Sequence, residues 1–519
     1  MERRRFLAAG GVTAGALALG LGACSSDGSD GVASTTGAAK GSTTTGPAKS
    51  AADGPVNPAD LPSQDQIHGW IQEVFDQGIR RPGYEADIWA EDWAEEQFTA
   101  AGLQEVRREP ITVMRWEPTS WSLTATPQGG EPKELDGFPV PFSPPIGPTD
   151  LALAAFDPGT ATGAPASGAW AALVDMALIS IPADLLATSG SAPADSDGRI
   201  VDPDGTLAGH GHLVPFSSKF GEEIDLAAEA GASAFLGSLD GYPGDSNRYY
   251  VPYDGEEGPV PGMWLRGSDG AWLREQLAAG PVTVSIEVRS ELVEHESSNI
   301  VGELPGADDQ TVMIGSHHDG PWSSAVEDAS GISLVLAQAN YWAKQPEEDR
   351  PHRLLFILQG GHMSGGAGLH QYIEAHRDEL ADVVVEIHLE HAALEFTEED
   401  GEVVPTGEPV PRWWFTSRIP DLESAVFDAL TAEEVNRSML LAPDAFGTQP
   451  PTDGAFYHSE GVPIVQFLEA PFYLFDEMDT MDKIDREHLV PITRAVIRII
   501  DSTRGVSASA MRAGLVPEA

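Results

Sequence analysis

The chain has 519 residues and carries 30 Lys+Arg against 81 Asp+Glu, a formal net charge of −51. An acid excess of that size repels nucleic acid and anionic lipid surfaces. The single cysteine, Cys24, excludes an intramolecular disulfide, and the length is ample for two domains.

Residues 1–23, MERRRFLAAGGVTAGALALGLGA, read as an export signal. Arg3, Arg4, Arg5, Phe6 and Leu7 resemble the twin-arginine pattern, which routes folded proteins across a membrane. The apolar run from Gly10 to Ala23 is shorter than the roughly 20 residues a spanning helix needs. It ends in Leu-Gly-Ala-Cys, a lipobox-like sequence that would make Cys24 a lipidated N-terminus. Residues 24–63, rich in Ser, Thr, Gly, Ala and Pro, cannot bury a core and read as a flexible linker. Together these features predict an exported protein, lipid-anchored at the outer face of the cytoplasmic membrane or cell envelope.

From Gln64 the pattern becomes globular. IHGWIQEVFDQGIRR and ADIWAEDWAEEQFTAAGL carry apolar residues at helical spacing, with Gly102 as a stop, and TSWSLTATP reads as a strand. Residues 152–285 hold short strand-like runs (GAWAALVDM, ASAFLGSL, VTVSIEVRS), one helix (SKFGEEIDLAAEAGA) and a Gly/Pro/Asp-rich loop over 240–261. In AGHGHLV, His210 and His212 form an HxH pair with no third donor at metal spacing nearby, which reads as surface decoration.

After SSNIVGELPG, strand and helix alternate, the signature of an α/β sheet flanked by helices. The expected strands are TVMIGS, RLLFILQ, VVVEIHL and PIVQFLE, and helices are expected after Gly331, Gly368 and Pro420. Ile332, Val335, Leu336, Ala339 and Trp342 share one helical face, so that helix should pack on the core. Trp413 and Trp414 suit either a cleft lining or internal packing. GGHMSGGAG lacks the Gly-Lys-Ser/Thr of a phosphate loop.

Eight of the 14 histidines fall between His317 and His391: His317, His318, His352, His362, His370, His376, His388 and His391. His317, His318, His362 and His391 are expected at strand ends, where ligands gather in open α/β sheets, and His458 follows in FYHSEG.

The segments NIVGELPG, MIGSHHD, AVEDASG, LLFILQGGHMSGGAGLHQYI, EIHLEH and DGAFYHSEGVPIVQF, in that order, resemble the co-catalytic zinc aminopeptidase family, peptidase family M28. The resemblance runs from about residue 66 to 505. LAAEAGASAFLGSL and VPGMWLRGSDGAWLREQLAAG resemble the protease-associated domain inserted in several exopeptidases. The resemblance implies an α/β fold with a mixed, mostly parallel sheet flanked by helices. It places a catalytic domain over 64–151 and 286–519 and a smaller α/β insertion over 152–285.

It also implies a divalent metal, zinc, and hydrolysis of a peptide or other amide. Position by position, His317 matches a metal ligand, Asp319 the catalytic-site acid that orients it, and Glu390 a later acidic ligand. Either Glu327 or Asp328 fills the bridging position. The family's Glu-Glu pair is replaced by His362-Met363, and the place of its late histidine falls on Phe475. The centre implied is therefore one ion rather than two. His362 either stands in for the glutamate base or binds metal together with His391 or His458. Two alternatives stay open: a non-catalytic surface binding module on the same fold, and a His-rich metalloenzyme of different amide chemistry.

Overall fold

The computed structural model describes residues 56–183, 200–217, 221–445 and 450–515. The export signal, Cys24 and the linker up to residue 55 lie outside the described residues. Among the described residues no helix is long and apolar enough to cross a membrane.

The globular part opens with helices α1 (Gln64–Phe75) and α2 (Glu85–Ala101). Ser63 Oγ accepts from the Gln66 amide to start the first, and Gly102 at φ 96° ends the second, where a side chain would strain the turn. Next come β1 (Gln104–Pro127), β2 (Lys133–Leu135), β3 (Gly137–Pro139), β4 (Ile146–Ala155), β5 (Trp170–Pro182), β6 (Ile200–Val201) and β7 (Gly211–Ser217). They are followed by α3 (Glu222–Glu229), β8 (Ala234–Asp240), β9 (Gly262–Arg266), α4 (Gly267–Ala279) and β10 (Val282–Leu304). The remainder alternates as expected: β11 (Thr311–His317), α5 (Gly331–Trp342), β12 (Arg353–Gln359), α6 (Ala367–His376) and β13 (Val383–Leu389). A hairpin, β14 (Leu394–Glu399) and β15 (Glu402–Pro409), precedes β16 (Arg412–Thr416), α7 (Pro420–Ala432) and β17 (Ser438–Leu441). The chain closes with α8 (Ala455–Ser459), β18 (Ile464–Leu468), α9 (Leu489–Ser502) and α10 (Ala508–Ala513).

One mixed sheet runs β3-β9-β8-β5-β4-β10-β12-β11-β13-β18-β16-β17-β6. Its spine is the antiparallel ribbon β1/β10, paired from Gln104 opposite Glu303 to Pro127 opposite Val282. The ribbon is much longer than the strand expected from TSWSLTATP. One end of β10 pairs with β4 and the other with β12, so the 152–285 segment continues the same sheet. The seams expected at 151/152 and 285/286 fall inside β4 and β10.

β11, β12, β13 and β18 run parallel, and their apolar runs are buried along almost their whole length, as strands covered on both faces must be. α5 is buried all round except at Asn340, because α1, α2 and α9 pack over it. Trp413 and Trp414 are packing residues of β16, with Trp414 stacked on Phe467 at 4.7 Å. His210 and His212 are not surface decoration. His210 Nε2 lies 2.6 Å from Glu395, and buried His212 donates from Nε2 to the Ala470 carbonyl, tying β7 to the opposite half. Sequence missed this because the acid stands 185 residues away.

Candidate metal centre

β11 delivers His317 to the carboxyl edge of the sheet, and the turn that follows is held from two sides. Arg80, fully buried, donates to the carbonyls of His318 (3.2 Å), Ser324 (3.0 Å), Glu327 (3.3 Å) and Ser323. Asp479 accepts from the amides of Val326 (2.8 Å) and Glu327 (2.9 Å). Guanidinium on the carbonyls and carboxylate on the amides satisfy a buried irregular turn that has no strand partner.

Within the turn the two neighbouring acids, joined by a cis peptide bond, face different tasks. Asp328 accepts from Ser316 Oγ and from the Gly331 amide at 3.1 Å, so it serves the start of α5. Glu327 sends its carboxylate among three imidazoles. Oε1 lies 3.5 Å from His317 Nε2 and 3.7 Å from His362 Nε2, and Oε2 forms an ion pair with His391 Nε2.

Each of those imidazoles is anchored through its other nitrogen. His317 Nδ1–H donates to the Asp319 carbonyl (3.0 Å), and His391 Nδ1–H to the Glu469 carbonyl (2.6 Å). A carbonyl can only accept, so these bonds put a proton on each Nδ1 and leave Nε2 as the nitrogen that faces Glu327. His362 Nδ1 is held by Asp453 Oδ1 at 2.7 Å. Anchoring of this kind orients metal-binding and proton-transferring imidazoles alike. Asp319 thus holds His317 through its main chain. Its carboxylate, 3.9 Å from His317 Nδ1, accepts from the amides of His362 (3.0 Å) and Met363 (2.7 Å).

Charge follows this geometry. Burial, then the neighbouring imidazoles, push His317 well below its ordinary value. Burial alone would also lower His362, but Asp453, then Glu327 and Glu390, outweigh it and raise it to about 10. His391 is raised to about 10 in the same way, chiefly by Glu327 against burial. The acid cluster therefore attracts positive charge strongly.

Donor atoms fall into two groups whose members lie within 4.8 Å of one another: His317, Glu327 and His362, and separately His388, Glu390 and Asp453. Glu390, expected beside His317, is placed with the second group. His318 turns away, with Nδ1 on Asp87 (2.8 Å) and Nε2 on the Ser298 carbonyl (2.9 Å). Both nitrogens must donate, so its ring is an imidazolium, raised to about 9 by Asp87 against burial. His458 lies on the short α8 and belongs to neither group. Phe475 and Tyr253, 5.1 Å apart, form an apolar wall, and Tyr253 stands 5.3 Å from His362.

Asp453, Tyr253 and His388 went unremarked as site residues in the sequence. His388 had a legible signal, because Glu386, His388 and Glu390 alternate and so share one face of β13. Asp453 opens the DGAFYHSEG segment but nothing local ties it to His362, and Tyr253 had no signal, since only the fold brings residues 91 and 109 positions away to that ring.

The residues present fit a divalent ion. His317 Nε2 and Glu327 Oε1 are buried without a hydrogen-bond partner, while His391 Nε2 and Glu327 Oε2 meet each other. Buried polar atoms are seldom left so, and imidazole with carboxylate is a donor set suited to zinc.

Residues 299–500 match the model of peptidase family M28. Among solved structures, the chain is similar to the peptidase M28 precursor from Shewanella amazonensis SB2B, at 19% identity and TM-score 0.60, covering 85% of this chain and 97% of that one. It is similar to an aminopeptidase from Aneurinibacillus sp. strain AM-1, at 18% identity and TM-score 0.57, covering 86% and 94%. It is also similar to BSAP, a zinc aminopeptidase from Bacillus subtilis, at 15% identity and TM-score 0.58, covering 85% and 95%. These likenesses show the fold. No curated protein matches the chain.

Proposed function

Because residues 299–500 match the model of peptidase family M28, we propose that this chain is a zinc-dependent aminopeptidase-like hydrolase of peptide bonds with a rebuilt metal centre. One observation carries the reading: three anchored imidazoles direct Nε2 at one buried carboxylate, Glu327. His317, His391 and Glu327 are the ligands, the two-histidine, one-glutamate set of many catalytic zinc sites. When bound, the ion supplies a Lewis acid for the scissile carbonyl and an acidified water.

His362 is the proton carrier rather than a fourth ligand. Its ring stacks on His317 with centroids 4.0 Å apart and planes 10° apart. Each nitrogen lone pair lies in its own ring plane, so two nearly parallel planes do not meet at one ion. With Nδ1 held by Asp453 and the ring raised to about 10, His362 is an imidazolium at neutral pH, so its Nε2–H would donate the proton the leaving amine needs and recover one from the hydroxyl that the attacking water has added. Asp319 sets the height of this ring by holding the His362 and Met363 amides. Tyr253 and Phe475 exclude water from above it. The acid surplus of Glu327, Glu390 and Asp453 suits a substrate that carries a free α-ammonium group. Export and lipid anchoring at Cys24 complete the proposal and rest on the N-terminal sequence.

The test is hydrolysis of aminoacyl 4-nitroanilides together with metal content, compared across variants. His362→Ala should keep its ion and lose about 10²–10⁴ in rate. Loss of the ion in that variant would make His362 a ligand. Full activity in it, or no turnover of any free or blocked peptide by the metal-loaded protein, would sink the reading.

A further inference from the structure

Residues 318–330, between β11 and α5, carry Glu327 along an irregular path. Ser324 lies at φ 43°, and Glu327 and Asp328 leave helical geometry at φ −99° and −129°. A buried turn of this kind keeps one shape only where other groups take up its carbonyls and amides.

Most of those groups come from a distant part of the chain. Arg80 and Arg81 stand between α1 and α2, outside residues 299–500. Arg80 meets the turn with its main chain as well as its side chain. Its amide donates to the Trp322 carbonyl (3.0 Å), and its carbonyl accepts from the Gly320 amide (2.9 Å). Its guanidinium serves the carbonyls of His318, Ser323, Ser324 and Glu327, and Arg81 Nε donates to that of Pro321 (2.8 Å). The fit leaves no slack, since a Cβ at Gly320 would lie 2.5 Å from the Glu327 carbonyl and 3.2 Å from Arg80 Nη2. Burial pulls Arg80 below its ordinary pKa against the charges of Asp479, Asp328, Asp319 and Asp87. The cation is thus kept inside at a desolvation cost.

Glu327 is gripped on both sides of its own residue. Arg80 Nη2 donates to its carbonyl (3.3 Å), and Asp479 Oδ2 accepts from its amide (2.9 Å). Its carboxylate meets three imidazoles at once, so a shift of this main chain is felt at every contact.

We propose that Arg80, with Asp479 opposite it, is a positioning residue for the hydrolysis: the pair fixes the main chain of Glu327 so that its carboxylate reaches His317, His362 and His391. This rests on the reading of Glu327 as a metal ligand. A lysine at position 80 would be a point charge on a flexible stem and could not span carbonyls from His318 to Glu327.

The experiment compares Arg80→Lys and Asp479→Asn with the unaltered full chain. Zinc competition titration, kcat and KM on aminoacyl 4-nitroanilides, and thermal unfolding are read together. Each variant should bind zinc about 10–100-fold more weakly. At saturating zinc, kcat should fall by a similar factor with KM changed less than about twofold. Variants that unfold earlier yet bind zinc and turn over like the unaltered chain would make the pair merely structural and overturn the proposal. Asp479→Asn keeps its shape and one acceptor oxygen, so where Arg80→Lys does not fold it decides by the same readouts. Unaffected variants of a chain that binds zinc would overturn this inference alone. An unaltered chain that binds no zinc would overturn the metal reading beneath it as well.

Discussion

The ends of β11 and β13 look alike in sequence, Ser-His317-His318 and Leu-Glu390-His391, yet they present opposite members of each pair to the site. At β11 the first residue, His317, faces Glu327, and His318 turns to Asp87 and the Ser298 carbonyl. At β13 the first residue, Glu390, stays on the strand face of His388, while His391 reaches Glu327. The cause lies in the backbone. His391 adopts φ 61°, a left-handed conformation uncommon outside glycine, which turns its ring inward one position past the strand's alternation. Two adjacent side chains at a strand end are thus assigned by the turn that follows them, and residue type alone does not decide which one serves.

The comparison can be broken most severely at its centre. Glu327→Gln should remove the ion and reduce hydrolysis by roughly three orders of magnitude or more, since both Lewis acid and activated water go with it. Metal analysis beside turnover checks this, and an active, fully loaded variant would refute it. The sharper contrast is His391→Ala against Glu390→Gln. The first should weaken binding of the ion by more than about 100-fold, beyond the usual loss of a supporting residue. The second should leave that ion in place. Zinc competition titration reads both, and the reverse result would restore the assignment made from sequence.

His318 should behave as structure. Asp87→Asn leaves an unpaired buried imidazolium and should cost about 3–5 kcal/mol in thermal or denaturant unfolding, with the ion still bound. Metal loss at unchanged stability would place His318 in the site.

The smallest effect belongs to the tie between β7 and β14. Burial would raise Glu395, but the nearby imidazoles of His212 (3.7 Å) and His210 (2.6 Å) and the charge of Arg437 hold it below its ordinary value. A carboxylate depressed in the folded state adds stability above its unfolded value, near 4.5, and loses it as pH falls through the lower folded value. Glu395→Gln should therefore cost about 1 kcal/mol at neutral pH and flatten that acid-side loss. An unaltered acid limb in unfolding curves from pH 6 to 3 would show that the tie does not contribute.

Much was legible beforehand where local rules suffice. The short, largely apolar runs TVMIGS, RLLFILQ and VVVEIHL read as strands and are buried ones, and Gly102, expected as a helix stop, ends its helix at φ 96°. His317 and Glu327 were reachable from the motif that surrounds them. The reading of Glu390 as a partner of His317 differs from the arrangement in the fold because a strand's period of two says which residues share a face, not where the chain leaves it. Between Glu327 and Asp328, only tertiary contact shows that Asp328 accepts from Ser316 and Gly331 while its Oδ2 lies 3.9 Å from His317 Nε2.

The amino-acid sequence by itself determined the alternation of strand and helix, the placing of polar residues at strand ends and the exchange of a Glu-Glu pair for His362-Met363. Those properties depend on neighbours within a few residues, through backbone geometry and periodicity. The tertiary structure alone decided which imidazoles converge on Glu327 and that Asp453 holds His362. These depend on groups tens to hundreds of residues apart, brought together by the sheet order, and no local pattern encodes that distance.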